Sequence, residues 1–432
     1  MKIGFVSMPF VGHLNPMTAL GRNLQSRGHE IAVIGVPDVE PFARAADLRF
    51  VPFCEDESPI GSNANLYAPI SKPHGLEAAR QSVRDKNAGP FTAASRELPW
   101  KLTQTGVEAL VIDVIHTYLE LVPLSLDMPY AQVSTGLPLD FSDSTPPFFF
   151  SWPHETTTAA RHRNREGLKA AGEIFAPIVP LAKSYAEKVA LRIDWSDRAA
   201  TISKLAVITQ TPREFDFPGI AWPSHFYYAG PFHDGNGREA ITFPWEKLTG
   251  KPLVYASMGT LVNGSERVYQ IILQAFGELP EIQVVLSIGR NVEAETVGNI
   301  PSNVIVVHTA PQIQLLKHAS LCITHAGLNT VLEALANGVP IVAIPIGYDQ
   351  RGVAARIAYH GVGEFLDIEH LSVGRVRRLI EQILKNPQYR ERAGKFQAAI
   401  ARTRGLDLAA EVIEGAFKSK SRASLDALVA SR

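Results

Sequence analysis

Short apolar runs of strand length recur along almost the whole chain, and most of them lack the polar alternation of a half-exposed strand. The first series is IGFVSM (3–8), EIAVIGV (30–36), RFVPF (49–53), LVIDV (110–114), YAQVST (130–135), LAVITQ (205–210) and FYYAG (226–230). Runs of this kind suit parallel strands covered by helices on both faces. The intervening segments carry a helical period: in PMTALGRNLQSRGH, Met17, Leu20 and Leu24 share one face and Gly28 ends the helix. After a polar, Gly-rich break, HDGNGREA (233–240), a second series follows: LVYASMG (253–259), QVVLSIG (283–289), VIVVHTA (304–310), LCITHAG (321–327) and IVAIPI (341–346). The expectation is an α/β protein of two doubly wound, Rossmann-like parallel-sheet domains, residues 1–232 and 251–432, joined by a linker at 233–250. A chain of 432 residues is too long for one ordinary core, which agrees. In such a pair the ligand belongs in the cleft between the carboxyl edges of the two sheets.

Charge narrows the partners. The 42 Lys plus Arg nearly balance 43 Asp plus Glu, so there is no electrostatic reason to expect nucleic acid. Cys54 and Cys322 lie far apart in apolar settings and read as reduced core residues. No stretch approaches the roughly 18 apolar residues of a membrane span, the N-terminus reads as a first strand, and a cytoplasmic location is expected. The region 140–195 looks irregular, with STPPFFFSWPHE followed by the basic run RHRNREGLK and a helical segment. Its Phe148, Phe149 and Trp152 serve either loop packing or, if functional, an apolar pocket or a peripheral membrane contact. Beyond about residue 418 the chain looks frayed.

Chemistry concentrates in HAGLNTVLEALANGVPIVAIPIGYDQ (325–350). The strand LCITHAG runs into a helix starting near Leu328, so backbone N–H groups around Gly327 to Thr330 form a ready phosphate site, and Gly327 lets a ligand approach the backbone. His325, Asn329 and Thr330 add donors. Glu333, one turn on, is placed to accept two hydroxyl hydrogen bonds. Taken singly, Asn329 and Thr330 read as caps and Glu333 as a solvated face. Asp349 and Gln350 follow the next strand, either to grip vicinal hydroxyls or to start a helix.

The second constellation is PFVGHLNP (9–16), which lacks the G-x-G-x-x-G of a dinucleotide turn. Pro16 suits a first helical position, so His13 is expected on a loop facing the cleft. Asp113 ends the apolar strand ALVIDV, where an unpaired carboxylate would be costly.

The stretch 309–350, with its Pro-Gln, His-x-Gly-x-Asn-Thr, Glu and Asp-Gln elements in order, resembles the signature of the inverting UDP-glycosyltransferases, glycosyltransferase family 1, which have the GT-B fold. The likeness is to bacterial macrolide, flavonoid and carotenoid glycosyltransferases. It implies an N-terminal acceptor-binding domain and a C-terminal nucleotide-sugar-binding domain, whose final helix can pack back on the first. Gln312, beside Thr309 and Ala310, would lie near the base and Glu333 would hold the ribose. His325, Gly327, Asn329 and Thr330 would bind the diphosphate, Asp349 and Gln350 the hexose, and Ser257, Gly259 and Thr260 would lie against the phosphates, with Gly12 facing them. The resemblance further implies His13 as general base, oriented by Asp113, and UDP-glucose as donor. Phe10, Phe148, Phe149 and Trp152 would contact a lipophilic acceptor such as a flavonoid, polyketide, terpenoid or carotenoid. Thr309 stands where plant members have a base-stacking Trp, which leaves a thymidine-linked donor open. No D-x-D-like pair adjoins the phosphate site, so neither metal nor other cofactor is expected. A UDP-sugar epimerase and a non-catalytic nucleotide-sugar binder are the alternatives.

Overall fold

The computed structural model describes residues 1–62, 75–83, 88–233, 235, 241–260, 264–289 and 292–430, so part of the expected linker lies outside the described residues. The first sheet contains β1 (Lys2–Val6), β2 (Glu30–Gly35), β3 (Arg49–Pro52), β4 (Ala109–Asp113), β5 (Tyr130–Ser134), β6 (Val207–Thr209) and β7 (Phe226–Tyr228), in the order β3-β2-β1-β4-β5-β6-β7. The second contains β8 (Leu253–Ser257), β9 (Gln283–Ser287), β10 (Val304–Val307), β11 (Ala319–Thr324), β12 (Ile341–Ala343) and β13 (Gly363–Phe365), in the order β10-β9-β8-β11-β12-β13. Every pairing is parallel. Each sheet therefore has its strand order reversed once, between β1 and β4 and between β8 and β11, and these switch points place loops from both halves at one carboxyl edge. This is the GT-B architecture.

Each apolar run of the sequence became a strand. β13 did not announce itself, because Gly-Glu-Phe offers neither an apolar run nor a β-branched residue. The helix expected from residue 16 begins at Val11 and ends at Ser26, so Pro16 lies inside it and His13 sits in its first turn rather than on a loop. In the region 140–195 the expected helical segment is present, and the basic run before it is helical too. The region holds the helix Thr158–Ile174, capped by the Thr157 hydroxyl on the Ala160 N–H at 3.1 Å, and the helix Val179–Lys188.

The last helix, Gly405–Ala430, returns to the N-terminal domain. Ala409, Ala410, Ile413 and Phe417 are buried in the core of the first sheet, and Glu414 pairs with Arg27 and His29, each at 3.0 Å. The frayed tail expected beyond 418 is helical backbone to Ala430, since a helix already anchored adds residues without a new nucleus. Among the described residues no helix is long and apolar enough to cross a membrane. Cys54 and Cys322 are buried and free.

Away from the cleft the two halves are pinned together. Arg356, on the helix Gln350–His360, donates from Nε (3.0 Å) and Nη2 (2.6 Å) to Asp216 Oδ1, with both side chains almost wholly buried. Tyr228 donates to the other Asp216 oxygen at 2.7 Å, and the Phe217 ring lies 4.2 Å from the guanidinium. Removing one partner would strand a charge with no water to receive it, so Arg356→Ala is expected to cost about 3–5 kcal/mol. Urea unfolding checks this; a midpoint unchanged from wild type would refute the pin.

Candidate active site

Strand register assembles the N-terminal half of the site. Val6 lies opposite Ile112, so the next residues, Ser7 and Asp113, are neighbours at the sheet edge. Asp113 also pairs with Val133, bringing Thr135 within reach two residues on. Asp113 is fully buried. Its Oδ2 accepts from Ser7 Oγ at 2.9 Å and from His13 Nδ1 at 2.8 Å, and its Oδ1 faces the Ile115 N–H at 3.4 Å. Thr135 Oγ1 lies 2.6 Å from His13 Nδ1 and 3.3 Å from each Asp113 oxygen. A carboxylate so surrounded fixes the proton of His13 on Nδ1 and leaves Nε2 as the base. Burial disfavours charge on both groups. Even so, mutual attraction and the hydrogen bond carry His13 above its ordinary value and hold Asp113 below its own.

The C-terminal half is built on the helix Leu328–Ala336. Its N-cap is Gly327 and no side chain caps it, so its first N–H groups face the cleft uncovered. His325 stands beside this turn. Side chains added at Gly259 (φ +76°) and Gly327 would meet the imidazole at 2.5 Å each, so both positions must be glycine for the ring to fit. Ala326, between His325 and Gly327, holds a left-handed φ of +65°, and the strain sits where the strand hands over to the helix. Burial pushes the His325 pKa down to about 4, and the ring is neutral at pH 7.

Asn329 does not cap its helix. It reaches across the cleft, donating from Nδ2 to the Gly12 carbonyl at 2.6 Å and accepting from Gln210 Nε2 at 2.7 Å. Gly12 is free to accept because Pro16, four residues on, has no N–H to give it. Glu333 is buried, not solvated. Its Oε2 accepts from Gln312 Nε2 at 2.7 Å; that amide also faces Thr330 Oγ1 at 3.3 Å, and Tyr255 donates to Gln312 Oε1 at 3.0 Å. Gln312 follows Ala310, which is buried, and Thr309, which is exposed. Ser257 Oγ accepts the Gly259 N–H at 3.3 Å, while Thr260 is exposed.

The Asp-Gln pair divides. Asp349 Oδ2 accepts the Leu137 N–H across the cleft at 3.1 Å; burial raises its pKa, opposed by that N–H and by His13. Gln350 Oε1 instead accepts from the Ile346 and Gly347 N–H groups at 2.8 and 2.9 Å, so this oxygen braces the turn rather than reaching for a ligand. The aromatic expectation also splits. Phe10 is buried with its ring 5.8 Å from that of His13. Phe149 belongs to the N-terminal core, and Phe148 packs between both domains while its carbonyl accepts the Gly352 N–H at 2.9 Å. Trp152 stacks on Phe150 at 4.0 Å, under Arg163 and against Gly167, which is loop packing. Sequence reasoning missed Ser7, Thr135, Gln210 and Tyr255. For Ser7 and Thr135 the signal was present, as the ends of runs already read as strands. Among the described residues no three His, Cys, Asp or Glu side chains are grouped to hold a metal ion.

Two parallel sheets, with an uncapped helix N-terminus on one side of the cleft and a buried histidine–aspartate pair on the other, make up a GT-B fold. A profile described as "UDP-glucoronosyl and UDP-glucosyl transferase" matches residues 233–414. Over its full length the chain resembles the zeaxanthin glucosyltransferase of Pantoea ananas, 27% identical over 95% of this chain and 94% of that protein. It also resembles the NDP-glycosyltransferase YjiC of Bacillus subtilis (strain 168), 24% identical over 97% and 98%. Among solved structures, the glycosyltransferase of kitacinnamycin superposes with TM-score 0.74 at 22% identity over 96% of this chain and 98% of that one. CalG4, the calicheamicin glycosyltransferase, superposes with TM-score 0.71 at 22% identity over 97% and 98%. Residues 233–414 thus match the UDP-glycosyltransferase family, the relatives that span the whole chain are named glycosyltransferases, and these likenesses support reading the chain as an enzyme of that kind.

The two histidines should titrate on opposite sides of their ordinary 6.5. In an NMR pH titration of the folded protein, His13 is expected above that value and His325 near 4. Asp113→Asn should lower the His13 midpoint, because burial then acts against the more distant charge of Asp349 alone. The raised His13 value contributes stability that is present below about pH 6.5 and is lost as pH rises through the folded pKa. A His13 midpoint unmoved by Asp113→Asn would count against the pairing.

Proposed function

We propose that this enzyme transfers a hexose, glucose from UDP-glucose, to a hydroxyl of a small lipophilic natural product, with inversion at the anomeric carbon. The observation that carries this reading is the arrangement of His13, held by Asp113 and Thr135, facing the uncapped N-terminus of Leu328–Ala336 across the cleft. The acceptor hydroxyl loses its proton to His13 Nε2 as its oxygen attacks the anomeric carbon. The bond to the diphosphate breaks in the same displacement, and no covalent enzyme intermediate forms. Asp113 stabilises the imidazolium. The departing diphosphate meets the helix N–H groups and neutral His325, donors already in place, so the reading requires no metal. Glu333, beside Gln312, is positioned for the ribose, and Asp349 for the sugar.

The acceptor class rests on relatives named for zeaxanthin, oleandomycin and 4'-demethylrebeccamycin, together with Phe10 beside His13. The donor base has a second reading. Exposed Thr309 provides no stacking platform, and two structural neighbours, VinC and SsfS6, are complexed with dTDP and thymidine diphosphate. Direct competition between UDP-glucose and dTDP-glucose separates the two. An epimerase would turn over the donor alone, and a mere binder would have no use for the His13–Asp113 pair.

Incubation with UDP-glucose and a panel of phenolic, terpenoid and polyketide acceptors should yield products heavier by one hexose in mass spectrometry, with EDTA present. His13→Ala should lower kcat by about 10²–10⁴ while the protein stays folded; full retained activity would sink the mechanism. Glu333→Ala should weaken UDP-glucose binding in calorimetry, and an unchanged affinity would remove the ribose assignment.

A further inference from the structure

One oxygen at the basic centre serves two donors. Asp113 Oδ2 accepts from His13 Nδ1 at 2.8 Å and from Ser7 Oγ at 2.9 Å, with Ser7 and Asp113 both buried. Ser7 follows β1 directly, and the ring of His116 hydrogen-bonds its backbone, so it is fixed within reach of the carboxylate. Asp113 does not depend on it for position. Thr135 Oγ1 lies 3.3 Å from each carboxylate oxygen, the Ile115 N–H lies 3.4 Å from Oδ1, and His13 itself holds Oδ2. What the Ser7 hydroxyl alters is charge. A carboxylate oxygen has two lone pairs, and a hydrogen bond donated to one of them favours the anion and disperses the charge that a cation on the other would feel. In a buried site little solvent screens this effect. His13 is sensitive to it. Burial opposes its charge, yet Asp113 and the more distant Asp349 carry it above its ordinary value, and a base that already holds a proton firmly is not free to take one from an acceptor.

We propose that Ser7 tunes the general base through Asp113: by engaging the second lone pair of the shared oxygen, its hydroxyl limits how firmly His13 holds a proton and so keeps the base available. The titratable groups that face His13 are Asp113 on β4, Asp349 from the opposite domain and His116 on the turn after β4, and all three remain when the hydroxyl is removed. The consequence for turnover rests on the transferase reading; the consequence for His13 does not.

The test is an NMR pH titration of His13 in the wild type, Ser7→Ala and Ser7→Thr, paired with the pH profile of kcat/KM. Ser7→Ala should raise the His13 midpoint by about half a pH unit, because a hydrogen bond that drew charge away from the pair is gone. Ser7→Thr, which keeps a hydroxyl, should stay near the wild-type midpoint. The acid limb of kcat/KM should move up with the midpoint: near about pH 6 the activity of Ser7→Ala should fall about threefold relative to the wild type, and well above both midpoints the two should converge. A purely structural role would lower activity by one factor at every pH and leave the midpoint in place. A His13 midpoint that is unmoved or lower in Ser7→Ala overturns the proposal, as does a rise of the same size in Ser7→Thr. A midpoint that rises as expected in a protein that transfers no sugar refutes the transferase mechanism and leaves this inference standing.

Discussion

One missing hydrogen bond organises the cleft. In the helix Val11–Ser26 the carbonyl of Gly12 should be taken by the N–H four residues later, but that residue is Pro16. The vacated carbonyl points toward the other domain and is satisfied there by Asn329, from the helix whose N-terminus faces the cleft. A proline inside a helix usually costs stability; here it converts an internal bond into a link between domains. Because Gly12 immediately precedes His13, the residue at the anion site and the residue at the basic site are joined through a single carbonyl. A displacement of Asn329 therefore bears directly on the turn that aims His13.

The same economy governs the other polar groups along the seam. Asp349, Asn329 and Gln210 each hydrogen-bond across it, so none is buried without a partner although all sit between sheets. The depression between Gln210, Asn329 and Glu333 holds only about 10 Å³, about one water. A nucleotide sugar cannot occupy that space, so the seam must part when donor enters, exchanging these contacts for contacts to phosphate and sugar. The Arg356–Asp216 pin lies away from this edge with both side chains almost wholly buried, so parting the seam at the pin itself would expose a charge pair.

The layout of the molecule was legible in the sequence because parallel strands buried on both faces leave long apolar runs, and such runs survive without any partner being known. β13 escaped, since a three-residue edge strand with Gly363 and Glu364 has no pattern to read. Candidate site residues stood out where an uncommon residue type met a strand end, as in Asp113 and His325, or stood beside a proline that suits a helix start, as in His13. Their roles were less so. Gln350 looks like a sugar ligand beside Asp349, yet its oxygen serves two backbone N–H groups of its own turn. Trp152 looks like a pocket wall, yet Gly167 on the following helix leaves a gap that its ring fills. Thr135, Gln210 and Tyr255 act through partners 57 or more residues away in the chain, a relation that neither period nor composition carries.

The two histidines of the cleft show how one residue type is given opposite duties. His13 is surrounded by oxygen: a buried carboxylate, a threonine hydroxyl and the more distant charge of Asp349 all favour the imidazolium. His325 is surrounded by backbone and apolar side chains in a slot that two glycines keep open, beside the positive end of a helix, and burial drives its proton off. Environments that separate the titrations of like groups mark the division of acid–base labour. Only the first ring is built to take up a proton and hold it against a carboxylate. The second is built to stay neutral until an anion arrives, and then to donate a hydrogen bond without having repelled the helix N-terminus beside it beforehand. On the proposed mechanism that asymmetry sends the proton to the N-terminal domain and the leaving negative charge to the C-terminal one.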